Sequence, residues 1–207
     1  MKRAYLLIIL ILCFSLISCE RIIPERAVFK RGVVSNNVYV SKSAEIKFIP
    51  GPAWSFAGDE ELLQMNNVDP SQSEGQICDE LSGLQTVYDM SSFSDDGESS
   101  VVIIFENKTV NLGISDITLS EYSDKLCESL GEQYAETIIS SSKSETVDFL
   151  DKEAVQVSVL INSNGGEICQ KYVVFDIGDF FVSVCITSRK GETETDSILK
   201  LFELPDD

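Results

Sequence analysis

The chain has 207 residues, 43% of them hydrophobic and 24% charged, with a formal net charge of −18 at neutral pH. A surface this acidic repels nucleic-acid phosphate and anionic lipid head groups, so no nucleic-acid partner is expected. There is no histidine, which excludes Ser-His-Asp and Cys-His nucleophile activation, His-ligated zinc and His-ligated haem.

Met1-Lys2-Arg3 is a short basic start, and Ala4 to Phe14 is an apolar run rich in Leu and Ile. Leu16-Ile17-Ser18-Cys19 closes the segment. A basic start, an apolar centre and a small residue before the cut describe a secretion signal over residues 1–18. The run is interrupted by Ser15 and Ser18, too soon for a spanning helix of about 20 apolar residues. The four residues ending in Cys19 resemble the bacterial lipobox. That resemblance implies that the Cys19 thiol receives a diacylglycerol and that a lipoprotein signal peptidase cuts before it. Several acyl chains on one Cys suffice for stable anchoring. The implied location is a cell membrane, lipid-anchored, on the extracytoplasmic side. Glu20 to Lys30 mixes charges with Pro24, so residues 19–30 read as a lipidated tether and residues 31–207 as one domain.

Within that domain, Val33 to Val40 is ambiguous because Asn36-Asn37 interrupts its valines. Ala44, Ile46 and Phe48 alternate with charged residues and predict a strand over 44–49, ended by Pro50-Gly51-Pro52. Asp59 to Met65 opens with acids and predicts a short helix. Asp69 to Gly75 is a loop, and 76–84 fits no single pattern. Thr86 to Met90 and Val101 to Phe105 predict strands joined by a hairpin whose tip holds Asp95-Asp96-Gly97-Glu98. The unbroken Val101–Phe105 run predicts a strand covered on both faces.

Thr118 with Glu121 makes a capping box, and Ile117 with Tyr122 has the spacing of a hydrophobic staple. Leu119, Tyr122, Leu126 and Leu130 then form one apolar stripe of a helix. Three strands follow: Val155 to Ile161, Ile168 to Phe175 and Phe180 to Thr187. Turns are expected at Asn164-Gly165 and over Asp176 to Asp179. Thr193 to Leu204 predicts a closing helix with Ile198, Leu201 and Phe202 inward.

The pattern is α+β: an antiparallel sheet flanked by helices. It resembles the PsbP-like sandwich, a fold shared by a small Ran-binding nuclear import factor and by bacterial lipoproteins of the DcrB type. Ala44 to Pro50 with Trp54, the Tyr88-Asp89-Met90 strand and Ile117 to Tyr122 carry the resemblance. The Tyr172 and Phe180 strands and the segment ending near Phe202 complete it. The resemblance implies a non-catalytic accessory or binding role, with no catalytic residues to carry over.

Four cysteines lie in the domain: Cys78, Cys127, Cys169 and Cys185. A hairpin centred on Ile177, with a three-residue loop ending at Gly178, places Cys169 opposite Cys185 and leaves Cys78 to Cys127. A two-residue loop at Ile177-Gly178 shifts the thiols out of register, and free buried thiols are the other reading. Their spacings suit neither zinc nor redox catalysis, and no cofactor is expected. Asp95-Asp96-Gly97-Glu98 reads as a solvated hairpin tip rather than a calcium loop, and Asp59-Glu60-Glu61 as a charged helix start. Trp54 reads as a core aromatic. Asn107-Lys108-Thr109 is a glycosylation sequon without meaning in a bacterium. The expected function is a membrane-anchored, non-catalytic module with a protein or envelope partner. The alternative is a small-ligand-binding lipoprotein associated with a transporter.

Overall fold

The computed structural model describes residues 26–134, 137–163 and 166–206. The expected signal, Cys19 and most of the expected tether lie outside these residues, as does the expected Asn164-Gly165 turn. Two antiparallel sheets organise the rest. The small sheet has the order β1-β2-β3-β11, from Val33–Ser35, Val38–Ser41, Ile46–Phe48 and Phe202–Glu203. The large sheet has the order β4-β5-β6-β10-β9-β8-β7. Its strands are Trp54–Phe56, Thr86–Ser94, Ser99–Asn107, Ile138–Phe149, Lys152–Ser163, Gly166–Asp176 and Phe180–Ser188 for β4 to β10. Helices α1 (Asp59–Met65), α2 (Glu74–Leu81), α3 (Leu119–Gln133) and α4 (Glu192–Leu199) flank the sheets. The chain is therefore α+β, as its pattern of elements requires.

The large sheet is buried on both faces. Val101, Ile103 and Phe105 of β6 enter one apolar cluster with Phe48, Leu63, Leu81 and Ile198. Val102 and Ile104 pack on a second cluster that holds Tyr122 and Leu130 of α3. The small sheet, α1, α2 and α4 thus cover one face, and α3 covers the other. The staple and stripe expected for α3 are present, since Ile117, Leu119, Tyr122 and Leu126 all belong to that second cluster. Thr118 Oγ1 accepts from the Glu121 amide at 3.2 Å, and the Glu121 carboxylate accepts from the Thr118 amide at 2.8 Å.

Val33 to Val40, ambiguous in sequence, is a hairpin. Val33 pairs with Val40 and Ser35 with Val38. Asn36 and Asn37 have φ of +51° and +58°, the left-handed pair that a two-residue type I′ turn demands and that asparagine tolerates. The closing helix is shorter than its apolar periodicity predicts. It ends at Leu199, and Phe202 enters strand β11 opposite Phe48. The folded part also begins before Arg31, because Ala27 and Phe29, expected in the tether, are buried in the core. Strand β7, with its Ser140-Ser141-Ser142 run, carries too little apolar alternation to be read from sequence.

The cysteine pairings are corrected by register. Asp176 pairs with Phe181, and the Ile177 amide donates to the Phe180 carbonyl at 3.0 Å, so the loop is Gly178-Asp179. Gly178 supplies the positive φ, +89°, that this turn needs. Cys185 consequently faces Tyr172, and Cys169 faces Ser188. An offset of three residues places the two thiols on opposite faces of the sheet. Cys185 joins the α3 cluster, whereas Cys169 meets Thr195 of α4. Cys78 and Cys127 are separated in the same way, by helices on opposite faces. All four thiols are free.

Phe48 joins the layers: its ring stacks on Phe202 at 4.6 Å and meets Trp54 edge-on at 5.9 Å and Phe56 at 6.2 Å. Trp54 is therefore a core-packing aromatic. Truncating Phe48, fully buried at the centre of this group, should cost about 3–5 kcal/mol; denaturant unfolding of Phe48→Ala measures it. Adding a thiol reductant should leave the melting temperature of the wild-type chain unchanged, which thermal unfolding with and without it checks.

Candidate functional site

The segment from Phe29 into β1 is fixed by polar groups beneath it. The Phe29 amide donates to Ser82 Oγ at 2.9 Å, and Ser82 Oγ donates to the Cys78 carbonyl at 2.7 Å. Cys78 Sγ donates to the Phe29 carbonyl at 3.4 Å. Asn107, the sequon residue, is fully buried. Its amide donates to the Ser82 carbonyl at 3.1 Å, while its oxygen accepts from the Thr109 amide and hydroxyl. That side chain locks loops together and is not a surface acceptor for a glycan.

Asp89 is the centre of this arrangement. The ladder between β5 and β6 slips between Tyr88 and Met90, leaving Asp89 as the extra residue of a β-bulge. Without the bulge, the strict alternation of a strand sets neighbours on opposite faces. With it, Asp89 is turned inward beside the apolar Met90. Its carboxylate accepts from the Gly32 amide at 2.9 and 3.1 Å and from the Tyr39 hydroxyl at 2.5 Å. Asp89 is 3% exposed and Tyr39 fully buried. Burial, opposed by these bonds and by the Arg31 charge, holds the Asp89 carboxyl above its ordinary value of 3.8. Burial and then the Asp89 charge push the Tyr39 hydroxyl well above its own ordinary value. Gly32 lies so close to Tyr39 that a Cβ there would sit 2.3 Å from the ring. The backbone can reach the carboxylate only because residue 32 has no side chain.

Above this latch runs an open groove of about 1120 Å³. The 29–34 segment forms one wall, and the start of α1 with the start of α2 forms the other. Phe56, Leu62, Leu63 and Ile77 give it apolar surface, while Glu60, Glu74 and Lys30 give it charge. Arg31 crosses to Asp59 at 2.9 Å. Gln72 also lines the groove; its amide nitrogen donates to Glu80 at 2.8 Å, and its buried amide oxygen has no partner among the described residues. The volume slightly exceeds the roughly 300–1,000 Å³ of ordinary small-molecule clefts.

The residues singled out in sequence fall elsewhere or act structurally. Asp59-Glu60-Glu61 is the first turn of α1, where acids suit the helix dipole, and it also borders the groove. Asp96 sits at the β5–β6 hairpin tip. Its carboxylate accepts from Ser94, the Glu98 amide and Lys190, and Lys190 chiefly holds its carboxyl well below the usual range. Among the described residues no group of three metal-ligating side chains converges. Sequence reasoning passed over Asp89, Gly32 and Tyr39 as site residues. The available signal was a single acid inside the apolar run Val87 to Met90.

No family model matches the chain, and no curated protein matches it. Similar solved structures include cyanobacterial PsbP (CyanoP) from Synechocystis sp. PCC 6803, with a TM-score of 0.48, 9% identity and coverage of 92% of this chain and 99% of that one. LpqN, involved in cell envelope biogenesis of Mycobacterium tuberculosis, has a TM-score of 0.37 and 10% identity over 75% of this chain and 76% of its own. A Bacteroides thetaiotaomicron protein has a TM-score of 0.40 and 8% identity, and the chain spans 50% of its length. At such scores and identities these likenesses carry no argument about activity.

Replacing Asp89 by Ala strands the Gly32 amide and the Tyr39 hydroxyl and should cost about 2–4 kcal/mol. Asp89→Asn keeps an acceptor but cannot ionise. A carboxyl raised by folding contributes stability that is complete below its unfolded value near 3.8 and fades as pH rises through its folded value. Unfolding free energies across that window should therefore fall with rising pH more steeply in wild type than in Asp89→Asn.

Proposed function

We propose that the protein is a lipid-anchored, extracytoplasmic module that acts without catalysis by binding another protein or envelope component. The lipobox-like Leu16-Ile17-Ser18-Cys19 supports the anchor. Among the described residues no helix is long and apolar enough to cross a membrane. The reading assigns attachment to acyl chains on Cys19. The groove beside β1 carries the binding part of the reading. Its buried carboxylate, Asp89, is engaged by Gly32 and Tyr39, so the groove offers shape and rim charge rather than an available acid or base.

Two measurements test this reading. Mass spectrometry of the native protein should find an acylated Cys19 at the amino terminus, and Cys19→Ala should leave the membrane fraction. An intact, unacylated leader would overturn the anchor. A photo-crosslinking residue at Glu60, on the groove, should give a discrete adduct in the native host that is missing when it replaces Glu128 on α3. Identical patterns from both positions would overturn the binding role. The groove volume also favours a second reading, a small-ligand-binding lipoprotein associated with a transporter. A ligand that raises the melting temperature of wild type but not of a groove variant would establish that reading instead.

A further inference from the structure

We propose that the outer edge of β1 takes up an extended, cationic segment of a partner protein as an added strand. This rests on the interaction-module reading and names the chemistry of its partner. β1 ends the small sheet and pairs only with β2, so the main-chain groups on its other side have no sheet partner among the described residues. Sheet edges in soluble proteins are ordinarily blunted by very short edge strands, lysine, proline, bulges or inward charges. β1 is short, three residues, but carries no lysine, proline or bulge. It reads Val33-Val34-Ser35, and all three residues are exposed, Val33 by 64% and Val34 by 42%. Behind them the strand is held firmly, since the Gly32 amide is bound by the buried Asp89. A fixed, apolar, unpaired edge of this kind is a short template for strand addition.

The charge around that edge selects the occupant. Glu60 and Glu74 line the groove with no salt-bridge partner among the described residues, while Arg31 is neutralised by Asp59. Lys30 is the remaining cation there. The whole chain carries −18, so a second copy or an anionic lipid surface meets like charge. A basic strand meets opposite charge. Its backbone would pair with β1, its side chains would flank Val33 on one face and Val34 on the other, and its basic side chains would reach Glu60 and Glu74.

The test uses the lipidated full chain in non-ionic detergent and fluorescence anisotropy of labelled peptides. The probe is a short peptide alternating Lys and Val. Its controls are a Lys-Pro peptide of equal length and charge, N-methylated on the main chain at its lysines so that it offers no main-chain donor, and a Glu-Val peptide, which reverses the charge. The Lys-Val peptide should bind saturably, and its affinity should fall as salt rises. The Lys-Pro peptide should bind at least about tenfold more weakly, the loss expected for one or two missing main-chain hydrogen bonds. The double substitution Val33→Lys with Val34→Lys, at exposed positions and checked for fold by circular dichroism, should weaken binding by a similar factor. Glu60→Lys with Glu74→Lys should weaken it and flatten the salt dependence. Equal binding of the Lys-Val and Lys-Pro peptides, or unchanged binding by the Val33/Val34 variant, overturns the proposal. Self-association or anionic-vesicle binding that disappears in that same variant overturns it in favour of a second copy or a lipid surface. A failed peptide with a retained Glu60 adduct removes strand addition and leaves the module reading standing; loss of both removes both.

Discussion

The architecture depends on one carboxylate held between two sheets. Asp89 belongs to β5 of the large sheet, yet its oxygens are bound by the hydroxyl of Tyr39 on β2 and by the amide of Gly32 at the entrance to β1. A carboxyl group this deeply buried is costly unless bonded, and here three donor contacts oppose the loss of solvent. The bonds also have direction. Apolar contacts around Phe48 and Phe105 would tolerate sliding of one layer on the other, whereas two donors converging on one carboxylate fix a single placement. The bulge that aims Asp89 and the missing side chain at Gly32 are two halves of the same device.

That placement has a structural consequence. The segment running from Phe29 into β1 is tied down by Ser82, Cys78 and Asp89, so β1 is presented as a fixed edge rather than a fraying end. The groove lies directly against it, with the acidic start of α1 on the far side. In the proposed binding role, a preorganised edge spares a partner much of the ordering entropy that a loose segment would impose. The acidic surface also favours encounter with basic partners and disfavours aggregation of copies through that edge. The chemistry of the groove and the colloidal behaviour of the chain therefore arise from the same excess of carboxylates.

The four thiols show how much rests on a small register choice. The sequence places Cys169 and Cys185 at equal distances from Ile177, and symmetry about that residue brings them face to face. The loop instead forms at Gly178-Asp179, where glycine adopts the positive φ that a two-residue turn requires. The resulting three-residue offset carries the two thiols to opposite faces. Burial then pushes the Cys185 thiol up to about 11, so it behaves as a small apolar side chain packed beneath α3.

What the sequence determined by itself was local and periodic. The capping box at Thr118, the apolar stripe of α3, the two-sided run of β6 and the acidic opening of α1 are short-range patterns whose physics lies within a few residues. The class of the fold follows from their order. The tertiary structure alone decided the elements and contacts that depend on distant partners. β7 is a strand because β8 pairs with it, Phe202 leaves its helical pattern because β3 offers a ladder beside Phe48, and Ala27 and Phe29 belong to the core because Ser82 and Cys78 receive them. Asp89 reads in sequence as one polar residue in a strand. Its role exists only where a bulge turns it toward a tyrosine and a glycine some fifty positions away in the chain, because a buried charge is stable only where folding brings donors to it.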